Sequence, residues 1–213
     1  SGRPVGVITA DDILDAAQDE ADEDIYALAG TAEVDPAHST VPRGVFLRLP
    51  WLLLSLVDGL FIAFLSSRFE STLEIASLAF FIPLIPLMGG NVAVQSSTIV
   101  VRALAVGGIR PQTVADFARR QAVVVVLLAL ACGLIAGLMA TLFVPGPAYT
   151  FMLVVGGSVG LAIFMAGCLG LALPFAFRGL GIDPAVSAGP FVTMVNDAFC
   201  IFIYLALATL LLY

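Results

Sequence analysis

The chain has 213 residues, of which 60% are hydrophobic and 12% charged, with a mean hydropathy of +1.06. Those fractions exclude an ordinary water-soluble domain and call for lipid as the solvent. The net charge of −7 sits mostly at one end, and nothing in it resembles the basic surface that a nucleic-acid partner requires.

Residues 1–19 open with Arg3-Pro4-Val5-Gly6-Val7-Ile8-Thr9, a short β-like run, and pass into a helix that starts with Asp11 and Asp12 at its positive end. One strand and one helix cannot bury a core, so this stretch reads as the end of a larger cytosolic domain. The acidic helix continues to about Gly30, and Asp11 to Asp24 contains eight acids in fourteen residues. Their mutual repulsion is of the kind that a bound divalent cation relieves, which makes Asp11, Asp15, Asp22, Glu23 and Asp24 candidate regulatory ligands. Residues 31–45, with Pro36, His38, Pro42 and Gly44, read as a linker in which His38 is solvated. Residues 20–47 thus form a connecting unit, and 48–213 a membrane domain. The polar, acidic start has no cleavable signal pattern.

Five apolar segments follow, at about 50–67, 76–106, 120–143, 149–176 and 187–212. A helix crosses the hydrocarbon core in roughly 20 residues, so an all-α integral membrane fold with five crossings is expected, not a β-barrel. The second and fourth segments are longer than one straight crossing needs. In the second, Pro83, Pro86, Gly89 and Gly90 are expected to break the backbone ladder in mid-span. Gly133/Gly137 and Gly156/Gly160 give the third and fourth segments the spacing of close helix packing. Cys132, Cys168 and Cys200 lie singly in apolar runs and read as small core residues. If the segments alternate, Arg43, Arg48, Arg102, Arg110, Arg119, Arg120 and Arg178 share one side and only Arg68 takes the other. This puts the N-terminus in the cytoplasm and Tyr213 outside.

An ionised carboxylate at bilayer depth costs roughly 2.5–3.5 kcal/mol on insertion scales, so Asp58 and Asp197 each need a reason. On a helical wheel Gly189, Thr193, Asn196, Asp197 and Cys200 fall within about 100° of one another. Asn91, Gln95, Thr98 and Arg102 make a second polar stripe on the second segment. Two such faces, with amides, carbonyls and one carboxylate, provide the oxygen ligands of a hard cation, and no Cys/His cluster competes for a softer one. Hydrogen bonding between helices is the plainer alternative for Asn91, Gln95 and Thr98. An intramembrane aspartyl protease would need Asp58 and Asp197 to converge beside a glycine motif that Asn196-Asp197-Ala198 lacks, so no enzyme is expected.

The run Pro83-Leu84-Ile85-Pro86-Leu87-Met88-Gly89-Gly90-Asn91-Val92-Ala93-Val94-Gln95-Ser96 resembles a motif of the MgtE family of Mg²⁺ transporters. Gly181-Ile182-Asp183-Pro184-Ala185 with Gly189-Pro190-Phe191-Val192-Thr193, Asp197 and Ile203-Tyr204 is similar to that family's last segment, and Arg48-Leu49-Pro50-Trp51-Leu52 to the start of its first. Gly6 to Gly30 resembles the end of a CBS domain running into a connecting, or plug, helix. The resemblance implies a homodimer in the cell membrane with a cation pore on its two-fold axis, lined by the second and fifth segments. It also implies Mg²⁺ as both cargo and intracellular gating ion, with Asp197 as the main ligand and Gly90, Asn91, Gln95, Thr193 and Asn196 beside it. A broader carrier of Co²⁺, Ni²⁺ or Mn²⁺ is the alternative. Ala93, Gln121 and Cys200 depart from the family pattern, at positions that bear on selectivity more than on fold.

Overall fold

The computed structural model describes residues 7–29, 40–73, 75–106, 113–143 and 148–212. All regular structure among them is helical: α1 (Ala10–Leu28), α2 (Val41–Ser67), α3 (Glu70–Leu73), α4 (Ala76–Ala79), α5 (Leu84–Ala105), α6 (Val114–Phe143), α7 (Ala148–Gly179) and α8 (Pro190–Leu212), with a 3-10 turn at Pro184–Ser187. Five stretches are long and apolar enough to cross a membrane: Val41–Ser67, Ser77–Ala105, Val114–Leu142, Tyr149–Gly179 and Pro184–Leu212. The chain is a multi-pass membrane protein.

Three expectations change. Val7 to Thr9 form no strand, because Thr9 caps α1: its hydroxyl takes the Asp12 amide at 3.2 Å while the Asp12 carboxylate takes the Thr9 amide at 2.7 Å. The rest of the β-like run, residues 30–39 with His38, and Arg110 lie outside the described residues. The linker does not reach residue 45, since Val41 already opens α2 with Pro42 in its first turn, where a missing N–H leaves no bond unmade. The break in the second segment lies before α5 rather than in its middle. α3, α4 and the turn at 80–83 come first, Pro83 is the N-cap of α5, and the helix runs unbroken through Gly89 and Gly90. Pro86 falls within the first turn, which has no i−4 carbonyl to lose.

α7 is the central element and packs against α5, α6 and α8. Its Val154, Val155, Val159, Ala162, Ile163 and Ala166 are fully buried. The glycine pairs let α6 and α7 touch backbone to backbone: a Cβ on Gly156 would stand 2.6 Å from the Gly133 carbonyl oxygen, and one on Gly133 would stand 2.8 Å from that of Gly156. α8 runs antiparallel to α5 and carries the polar ties. Tyr204, fully buried, donates to the Leu78 carbonyl at 2.7 Å, and Thr209 meets Thr72 at 2.7 Å. Both bonds hold the broken α3–α4 stretch, where backbone groups most need partners in lipid. α2 is different, because it rests on α8 and has no buried residue. Phe46, Leu49, Leu53, Leu56, Leu60 and Phe64 are all exposed.

Candidate cation site

The turn that leads into α8 explains one motif. Gly181 has φ +73°, a left-handed conformation suited to glycine. Two residues on, the Asp183 carboxylate accepts the Ala185 amide at 2.9 Å and caps the 3-10 turn, and Pro184 occupies its first position. These residues set the start of α8, and with it the height of Asp197.

Asp197 lies on α8 where that helix crosses Gly89 and Gly90 of α5. Successive helical positions turn by about 100°, so neighbours in sequence divide between the seam and its rim. Gly89 and Asn196 are in the seam and buried; Gly90 and Asp197 are at the rim and half-buried; Asn91 is exposed. A Cβ on Gly90 would have Thr193 Cγ2 at 3.8 Å, Asn196 Nδ2 at 3.9 Å and Asp197 Oδ1 at 3.9 Å. Four of the expected site residues, Gly90, Thr193, Asn196 and Asp197, therefore gather in one place. The Asp197 carboxylate accepts from Asn196 Nδ2 at 3.1 Å, and Thr193 donates its hydroxyl to the Pro190 carbonyl at 2.8 Å, which leaves its lone pairs free.

The other two do not join them. Asn91 and Gln95 are exposed, as is Arg102, and only Thr98 is half-buried. The two polar stripes consequently do not enclose a pathway within one chain, because the glycine corner of α5, not its amide stripe, meets α8. Asp58, half-buried on α2, comes within electrostatic range of Asp197 through the α2–α8 contact. Among the described residues no three His, Cys, Asp or Glu side chains converge as a metal cage. Asp11, Asp15, Asp22 and Glu23 are exposed along α1, and the Asp24 side chain lies outside the described set.

Sequence reasoning missed the neighbour at Gly189. The C-terminal end of α1 packs on the 3-10 turn, so that a Cβ on Gly189 would stand 2.6 Å from the Leu28 carbonyl oxygen and 3.1 Å from that of Ala27. Ala27 and Leu28 cover Val101, Ala185 and Ala188 there. The apolar run Ile25-Tyr26-Ala27-Leu28, which follows the last acids of the helix, was the available signal.

Residues 82–207 match the profile of the MgtE family, described as divalent cation transporters. The chain belongs to the MgtE family. Among its relatives, the magnesium transporter MgtE of Thermus thermophilus is 36% identical over 99% of this chain and 47% of its own length. Those of Bacillus subtilis and Enterococcus faecalis are 30% and 35% identical over 96% and 97% of the chain, and 45% of their own lengths. The chain thus spans about half the length of these MgtE relatives. The matched region runs from the turn before α5 into α8 and so contains the whole α5–α8 seam, on a family of transporters and not of enzymes.

Proposed function

We propose that this chain forms a homodimeric channel that passes Mg²⁺ into the cytosol, with Asp197 of each copy supplying the field at the pore. The carrying observation is the position of Asp197: a half-buried carboxylate within an apolar span, beside the small Gly90, with the Asn196 amide as its hydrogen-bond partner and no arginine paired with it among the described residues. Such a group ionises when a cation or water meets it. The exposed Asn91, Gln95 and Arg102 and the uncovered α2 support a second copy that closes the pathway outside the single chain. Mg²⁺ holds its waters tightly, so carboxylate, amide and carbonyl oxygens act mainly through them. Inward movement of two charges across about 100 mV releases roughly 4.6 kcal/mol, and no nucleotide is required.

An open pore with that driving force needs a gate. α1 is the proposed plug: its end rests at Gly189, ahead of the pore helix, and its exposed acids Asp11, Asp15, Asp22 and Glu23, with Asp24, would bind Mg²⁺ against a neighbouring acidic surface when the cell is replete. The N-terminus is cytoplasmic and the C-terminus external in this reading, by the arginine asymmetry. The names of the three relatives favour Mg²⁺ over Co²⁺, Ni²⁺ or Mn²⁺. Mg²⁺ flux into liposomes tests it: Asp197→Ala should abolish uptake and leave the protein folded, and uptake at the wild-type rate would defeat the assignment.

A further inference from the structure

Asn196 is 1% exposed and Cys200 is 1% exposed, while Asp197 between them in sequence is half-buried at the rim. Two hydrogen bonds join the three: Cys200 Sγ donates to Asn196 Oδ1 at 3.4 Å, and Asn196 Nδ2 donates to Asp197 Oδ1 at 3.1 Å. The chemistry dictates this order, because a carboxylate only accepts, so the amide must turn its NH₂ to Asp197 and its oxygen to the thiol. The space for the arrangement comes from α5. A Cβ on Gly89 would stand 2.6 Å from Cys200 Sγ, 2.8 Å from Asn196 Oδ1 and 3.0 Å from Asn196 Nδ2.

We propose that Asn196 is a positioning residue and not an ion ligand, and that Cys200 in turn orients it, so that the relay Cys200–Asn196–Asp197 fixes the carboxylate rotamer and leaves Asp197 Oδ2 to the cation or its water. The oxygen of Asn196, its one atom able to ligate a cation, is buried, aimed away from the rim and engaged by the thiol. Held on one side only, Asp197 offers a single oriented oxygen instead of a freely rotating pair, which is what a site needs to favour the compact hydrated shell of Mg²⁺ over a larger ion. Gly89 belongs to the same device, because a side chain there would displace both Cys200 and Asn196. This inference rests on the reading of Asp197 as the acid that meets the ion.

The test is Mg²⁺ uptake by proteoliposomes containing the full chain, recorded as half-saturating concentration and maximal rate, with Ca²⁺ as competitor. Asn196→Leu, of similar volume, should raise the half-saturating Mg²⁺ concentration about tenfold or more, as expected for loss of a hydrogen bond to a charged group, and reduce discrimination against Ca²⁺. Cys200→Ala should shift both readouts in the same direction by about threefold, since the thiol is a weak donor, and Cys200→Ser, which keeps a donor, should restore them. A fall in maximal rate alone, with half-saturation and discrimination unchanged, would mean a merely structural role and overturn the proposal, as would Cys200→Ser behaving like Cys200→Ala. Should Asn196→Leu fail to fold, the two Cys200 variants decide. Wild-type uptake by Asp197→Ala would remove the underlying reading, a result distinguishable because it concerns the acid and not the relay.

Discussion

At the scale of single residues, what matters is which side of a helix a neighbour falls on. Asn91 and Gly90 are adjacent, yet one is exposed and the other faces Asp197, because about 100° of rotation separates them. The same rotation separates Asn196 in the seam from Asp197 at its rim. Asp12 shows a different local effect, outside the membrane. The Thr9 hydroxyl, and then the Thr9 amide, hold its carboxyl below the usual aspartate value of 3.8. A lowered folded-state value means that the capping box supports α1 above the ordinary aspartate range, and that this support is lost as pH falls through the folded value. Protection of the Asp12 and Ile13 amides against exchange, relative to their intrinsic rates at each pH, should therefore fall as Asp12 becomes protonated in acid. Thr9→Ala should bring the same fraying at neutral pH; if its exchange matches that of the wild type there, the box does not hold the helix.

At the scale of elements, the same residue type serves opposite ends. Gly156 admits the α6 backbone, whereas Gly179 at the end of α7 has nothing within 4 Å of its missing Cβ. Gly156→Leu must displace backbone atoms and not a flexible side chain, so it should destabilise by about 1–3 kcal/mol or more in detergent. Gly179→Ala should remain within about 0.5 kcal/mol. Equal unfolding midpoints for the two variants would mean that the α6–α7 crossing is not the tight contact it is drawn as. The glycine spacing was legible in the sequence because small residues four apart have one outstanding use between lipid-embedded helices. The break before α5 was legible only as an excess of length. Its location depends on where Leu78 and Thr72 find Tyr204 and Thr209, partners 126 and 137 residues away.

At the scale of the whole molecule, two surfaces remain to be used. α2 has no fully buried residue in the single chain, and Asn91, Gln95 and Arg102 are exposed. α1, by contrast, is committed: its last carbonyls lie on Gly189. Gly189→Ala pushes against backbone at 2.6 Å, and overpacking of about 1–3 kcal/mol corresponds to roughly a 5- to 150-fold loss of the docked state. If α1 is the plug, this variant should leak Mg²⁺ at internal concentrations that close the wild type. Wild-type closure, together with unchanged protease protection of Ala27 and Leu28, would count against the plug.

Hydropathy determined the membrane class and the number of apolar crossings, and the motif spacing singled out Asp197 as a candidate, because each is a property of residues in linear order and of their transfer into lipid. The tertiary structure alone decided that Gly89 and Gly90 of α5 meet α8 while Asn91 and Gln95 stay exposed, that Asn196 faces a thiol, and that α1 ends on Gly189. Those outcomes depend on the rotation of one packed helix against another. Rotation is fixed by steric fit along a whole interface, which no local run of residues encodes.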